Sequence, residues 1–375
     1  MLFCVLPLPS RAAGAAPSVD LGVGLGGGAT GYTVENLHQN GAAEESLKAV
    51  VKWRQDALND TSVKWNGKTM KQYLADNDIS ESDYLNPKWS NALERIAIQR
   101  AIEAWDYNDG HTRPNGETCW TAQYGSYRSS AEILAWGSRS FAAAMDQWAT
   151  EKSDWDNQSP GVVTGHYTTL IDPSYKAYGF GASSADYYGT AYAGEATSAS
   201  DWDATPTNIQ GKYTVEVNLS SAELAQGIAD NVPDTLRVGE SFAPVVKAKA
   251  YSQRLTMRGT WSSSDDKVLS VQSDGSILAK TGGKATLTFT VTATYDDKST
   301  AEVPVTWNKV PNDWNSDRKA HTVKITGKVA WSNGDTTDET ITWQSSTKDQ
   351  YSKREGNTYD LTGAIAGKTV TATWP

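Results

Sequence analysis

The sequence predicts an α+β amino-terminal region followed by all-β modules. Three observations carry this. Residues from about 40 to 200 mix helical and strand-like segments without regular βαβ alternation, which is an α+β or sandwich pattern. Beyond residue 210, short stretches alternate apolar and polar residues and are broken by Gly, Asp and Ser, as in a β-sandwich. Finally, 15 Trp and 17 Tyr stand against only 5 Phe, a mix that suits half-buried strands and exposed aromatic surfaces.

The elements follow in order. Met1 to Leu8 is a short apolar run followed by the small residues of AAGAA, so residues 1–16 read as the remnant of a secretory signal. Cys4 would leave with it, and Cys119 would then have no intramolecular disulfide partner. Residues 17–40 read as a flexible linker. Gly22, Gly24 and Gly27 make a formal G-x-G-x-x-G there, but no strand-forming run precedes them, so the dinucleotide reading fails. A first helix is expected over EESLKAVVKWRQDALN, with Leu47, Val50, Val51 and Ala57 at helical spacing. A second is expected from NPKW onward, with Asn86 as cap, Pro87 in the first turn, and Trp89, Leu93, Ile96, Ala97 and Ala104 as its stripe. A third covers SRSFAAAMDQWATEKSDW, with Phe141, Met145 and Trp148 turned inward. GHYTTLI and YYGTAYAGEA read as strands, the former with His166, Thr168 and Leu170 on one face. These elements make a domain over 41–205.

The β region divides into 230–308 and 312–375. VGES, WSSSDDKVLSV and SDGSILAKTGGKATLTFTVTATY give an opening strand, a W-S-S-S segment, a D-G hairpin turn and a long strand. Asp274 and Gly275 suit a type I′ turn, whose central residues both need positive φ. In this order the segments resemble the bacterial Ig-like domains of adhesins and wall proteins, of the BIG2 type. The last 65 residues resemble such modules more loosely.

A net charge of −10 lacks the basic surplus of a general nucleic-acid binder. No stretch approaches 18 apolar residues, so no transmembrane helix is expected. No G-x-S-x-G elbow, H-E-x-x-H helix, P-loop or paired C-x-x-C occurs. His38 and His321 lie in polar surroundings and read as solvent-facing, and Cys119 reads as a buried small hydrophobe. Asp265-Asp266 and Asp296-Asp297 read as solvated turns rather than calcium sites, which need six or more oxygens.

Four stretches carry chemistry: NDGHTRPNGE with His111, SSAEILAWG with Glu132, MDQWATEKSDW with Glu151, and TGHYTTLI with His166. In this order they resemble the CAP superfamily, the cysteine-rich secretory, antigen 5 and pathogenesis-related-1 proteins. The resemblance implies a three-layer α-β-α sandwich followed by one or two all-β Ig-like modules. It also implies a cleft lined by His111, Glu132, Glu151 and His166. Two imidazoles and two carboxylates suit a divalent cation, zinc first, with a carboxylate either completing the tetrahedron or orienting an imidazole. The same groups could work as acid and base, with Glu132 or Glu151 catalytic in a metal-assisted hydrolase. They could also hydrogen-bond each other as a structural seam. The chain departs from the family's pattern at Ile133, where an Asn is usual, and at Asp172-Pro173, where an aromatic residue is common.

The expectation is thus a secreted or cell-envelope bacterial protein, not firmly an enzyme. It would hold a cation or small ligand in the cleft and use its Ig-like modules for spacing or for attachment to wall glycan or a host surface. A purely adhesive or structural protein is the remaining reading.

Overall fold

The computed structural model describes residues 16–104, 110–185, 189–200, 203–294 and 300–304, and the strands at 321–331, 336–345, 358–365 and 368–373. The expectations for the signal remnant, for Asp296-Asp297 and for the side chain of His321 lie outside the described residues. The chain divides into two compact units. The first comprises Met1–Val23, Thr33–Trp105 and Gln123–Val215; the second comprises Gly24–Tyr32, Asp106–Ala122 and Glu216–Pro375.

The first unit is built on a four-stranded sheet of β1 (Lys88–Trp89), β2 (Ala131–Ser138), β3 (Ala177–Ala185) and β4 (Gly189–Thr197), in the order β1-β3-β4-β2. The helices that frame it are α1 (Ala42–Asn59), α2 (Asn91–Glu103), α3 (Phe141–Ala149), α4 (Lys152–Asp156) and α5 (Gly165–Ile171); the unit also holds the short helices Met70–Asp76 and Glu81–Tyr84. β1 runs parallel to β3; the other pairings are antiparallel. Strand alternation separates two faces. Ile133 and Ala135 of β2 join Val50, Phe141, Met145, Trp148, Tyr167, Leu170, Tyr178 and Phe180 in one core. Leu134 joins Ala97 and Ala101 of α2, and Ala104 just past its end, on the other side. The sheet therefore lies between α2 and a layer of α1, α3 and α5, an α-β-α sandwich.

Two glycines set the spacing of α2 on the sheet. A Cβ on Gly179 would stand 2.1 Å from the Glu94 nitrogen, and one on Gly181 would stand 2.2 Å from that of Ile98. The helix backbone rests directly on these positions, where a side chain has no room.

Three local expectations change. The second helix starts at Asn91, not at Pro87: Ser90 caps it by accepting from the Leu93 N–H at 3.3 Å. Lys88 and Trp89 form β1 instead, because the Lys88 and Ser90 N–H groups donate to the carbonyls of Lys176 and Tyr178. The third helix breaks after Ala149 into α3 and α4. GHYTTLI is not a strand but the helix α5, so His166, Thr168 and Leu170 do not share a face; Tyr167, Leu170 and Ile171 are the buried apolar set. The apolar run was short enough to suit either element, and its helix-end contacts are all distant in sequence.

Residues 17–40 are not a flexible linker. Gly28–His38 is a strand, with Gly31 opposite Met257 and Gly28 opposite Thr294. Ahead of it, the carbonyls of Gly24 and Leu25 accept from Arg113 and Asn115. A run of glycines reads as flexible, but here it admits close backbone approach.

In the second unit, Ser241–Phe242, Ile277–Ala279 and Leu269–Val271 form one sheet, and Gly259–Ser263 pairs with Leu287–Val291 in another. Trp261 stands opposite Phe289 with ring centroids 5.0 Å apart. The Asp274-Gly275 turn is not type I′. Only Gly275 has positive φ, at 81°, and the Gln272 N–H donates to the Ser276 carbonyl, so the loop has three residues with the glycine in the left-handed position. Strands His321–Trp331 and Thr336–Ser345 pair antiparallel in a five-stranded sheet that also contains Thr300–Pro304, Thr358–Ile365 and Lys368–Thr373. Among the described residues no helix is long and apolar enough to cross a membrane.

Candidate functional site

Glu151 sits where α3 ends and α4 begins, and its two carboxylate oxygens do different work. Oε2 accepts from the backbone N–H groups of His166 at 2.9 Å and Tyr167 at 3.2 Å, satisfying donors that open the first turn of α5. Oε1 lies 2.6 Å from Nδ1 of His166. A carboxylate is an acceptor only, so Nδ1 carries a proton, and in the neutral ring Nε2 is the nitrogen with the lone pair. The His166 side chain is 28 % exposed and that of Glu151 15 %, so the pair lies half-buried at the rim of the helical layer.

The other end of α5 is held by Arg54 of α1. Its Nε donates to the Leu170 carbonyl at 3.3 Å, and Nη2 donates to those of Asp172 at 2.9 Å and Tyr175 at 2.8 Å. Tyr178 and Tyr84 donate their hydroxyls to the carbonyls of Thr169 and Ile171. Burial pushes both tyrosine hydroxyls up, Tyr178 to about 12. A carboxylate at the amino end and a guanidinium at the carboxyl end match the polarity of the helix.

Glu132 is arranged differently. As alternation requires, it faces α2 with Leu134, away from Ile133. Arg100 of α2 holds both its oxygens, Nε to Oε2 at 2.6 Å and Nη2 to Oε1 at 3.2 Å. Nη1 of Arg100 donates to Glu103 at 2.9 Å. Arg100 and Glu103 are buried as well. Glu195 stands opposite Glu132 in the β2–β4 register. Burial, then the charge of Glu132, raises Glu195 well above the usual carboxylate range.

The structure thus joins Glu151 to His166 and commits Glu132 to Arg100. His111 belongs to the second unit. It is exposed, on a loop closed by a bond from the Cys119 N–H to its carbonyl at 2.8 Å. Cys119 is buried, as expected of a small apolar side chain. Imidazole, thiol and carboxylate donors of the kind a metal ion takes are present in His111, Cys119 and Glu132. His38 is exposed and meets Gln210, and Asp265 spends an oxygen on the Lys267 N–H of its own turn.

Arg54, Arg100 and Glu195 were not singled out from the sequence. Two of them left a signal. Arg54 is in helical phase with Val50 and Ala57, and Arg100 with Ile96 and Ala104, so each is a charge on an apolar face that requires buried acceptors. Nothing in the sequence distinguishes Glu195.

Residues 81–194 match the model of the CAP, cysteine-rich secretory protein, family, and residues 272–331 match that of bacterial Ig-like domain group 4. The Ig-like match runs from the later part of the first expected β module into the start of the second. No curated protein matches the chain. Among solved structures, the venom allergen-like protein 4 of Schistosoma mansoni is 16 % identical, over 42 % of this chain and 94 % of its own, with a TM-score of 0.25.

Proposed function

We propose that this chain, which carries a CAP domain followed by a bacterial Ig-like domain, is an exported bacterial binding protein whose His166–Glu151 pair takes a divalent cation. What supports the reading is the orientation of one imidazole. With Nδ1 tied to Glu151, Nε2 is the nitrogen with a lone pair to offer, and a carboxylate behind a ligating histidine fixes its tautomer and raises its basicity. Glu132, with both oxygens on Arg100, is less suited to direct coordination. Zinc is the first cation to test, since neutral imidazole suits it. The Ig-like modules would set reach or attach the protein to wall glycan or a host surface.

Zinc titration of the full chain by calorimetry tests this. His166→Ala should abolish binding at the site, and Glu151→Gln should weaken it roughly 10–100-fold. Zinc binding unchanged in both variants would overturn the proposal. The same orientation also suits Nε2 as a general base, which makes a hydrolase the second reading. A peptidase and glycan-hydrolase screen with wild type and Glu151→Gln decides that one.

A further inference from the structure

A cavity of about 650 Å³ opens at the carboxyl end of α5, lined by residues of the first unit alone. It lies at the opposite end of the helix from His166, roughly 10 Å away at 1.5 Å per residue. We infer that this cavity is a second binding site, and that its ligand is an acidic sugar: a pyranose ring bearing a carboxylate.

Arg54 lines the cavity while only 1 % exposed. Every group it donates to is neutral: four backbone carbonyls and the Tyr178 hydroxyl. Among the described residues no carboxylate lies within ion-pair distance of it. A full positive charge therefore sits in the cavity wall, offset only by dipoles, where low polarisability strengthens its field. Lys88 and Lys176 bring two exposed ammonium groups to the same lining. The Lys88 ammonium donates to Asn86, and the Lys176 ammonium has no hydrogen-bond partner among the described residues.

The remaining lining sets the rest of the ligand. Asp78 and Asp83 supply acceptors of the planar kind that takes paired hydroxyls, and Tyr175, half-buried, supplies a ring for an apolar C–H face. Three cationic side chains against two acidic ones favour an anion over an amine. A ring with hydroxyls, one flat apolar face and one carboxylate meets all of these groups. The volume lies within the range of small-ligand cavities.

Saturation-transfer NMR on the full chain tests this with D-glucuronate, D-glucose and D-glucosamine as probes. Glucuronate should give a saturable signal in the millimolar range, with glucose roughly tenfold weaker for want of one charged hydrogen bond. Lys88→Ala with Lys176→Ala should lower glucuronate affinity about tenfold or more; both positions are exposed, so folding is spared. His166→Ala should leave glucuronate binding unchanged, which separates this site from the cation site. The inference is overturned by no saturable glucuronate signal, by equal or stronger binding of glucose or glucosamine, or by a double variant that binds as wild type does.

Discussion

At the scale of single residues, Glu151 shows how one side chain can serve structure and chemistry together. Its Oε2 caps α5 and its Oε1 holds His166. Glutamine has only one acceptor oxygen, so it cannot do both. Glu151→Gln is therefore expected to lose about 1 kcal/mol of stability, as for a lost cap, on top of its larger effect on cation binding. Urea unfolding checks the first effect separately from the second. Gly179 acts only through absence. Its missing Cβ admits the backbone of α2, and Gly179→Ala would place a carbon 2.1 Å from the Glu94 nitrogen. Helix and sheet must separate, at a cost of about 3 kcal/mol by the usual range for overpacked cores. A urea midpoint unchanged from wild type would show that the helix does not rest on that strand.

At the scale of elements, α5 is the piece whose existence depends most on distant residues. Seven residues with two threonines make a poor helix in isolation. Glu151 reaches it from the end of α3, and Arg54, Tyr84 and Tyr178 reach it from α1, from the short helix Glu81–Tyr84 and from β3. Replacing Arg54 by Met removes donors from the carbonyls of Tyr84, Leu170, Asp172 and Tyr175 together. At about 1–3 kcal/mol for each buried group left unsatisfied, the loss should be about 4 kcal/mol or more. Amide exchange should rise first in α5. If its protection survived in Arg54→Met, the helix would not be held from that end. The same dependence explains what the sequence could and could not show. α1 was legible because its own apolar spacing, Val50 to Ala57, defines the buried face. His166 and Glu151 were legible as motif residues, but their contact was not, since fifteen residues and a helix break separate them. α5 was misread because nothing inside GHYTTLI records its caps. β1 was missed because two residues become a strand only by pairing with β3.

At the scale of the whole molecule, the buried charges between α2 and the sheet set how stability responds to pH. Arg100 is matched against Glu103 and Glu132, with Glu195 as a third carboxyl nearby. Burial and the Glu132 charge raise Glu195 well above its ordinary 4.5, so the folded chain keeps a proton that the unfolded chain releases. Burial raises Glu94 in the same direction. For such groups the unfolded state binds fewer protons above pH 4.5, and stability must fall as pH rises. One group contributes about 1.4 kcal/mol per pH unit until its folded value is reached. Asp60 opposes this only at low pH. A hydrogen bond from Lys152 holds it at about 2, so its contribution is lost as pH falls below 4. Stability should therefore peak in the mildly acidic range and decline toward neutrality. Glu195→Gln removes the titrating group and keeps the shape. Its stability relative to wild type should grow between pH 5 and pH 7.5 in paired urea titrations. A difference independent of pH would mean that Glu195 is already ionised beside Glu132, and that Arg100 holds the charge of both.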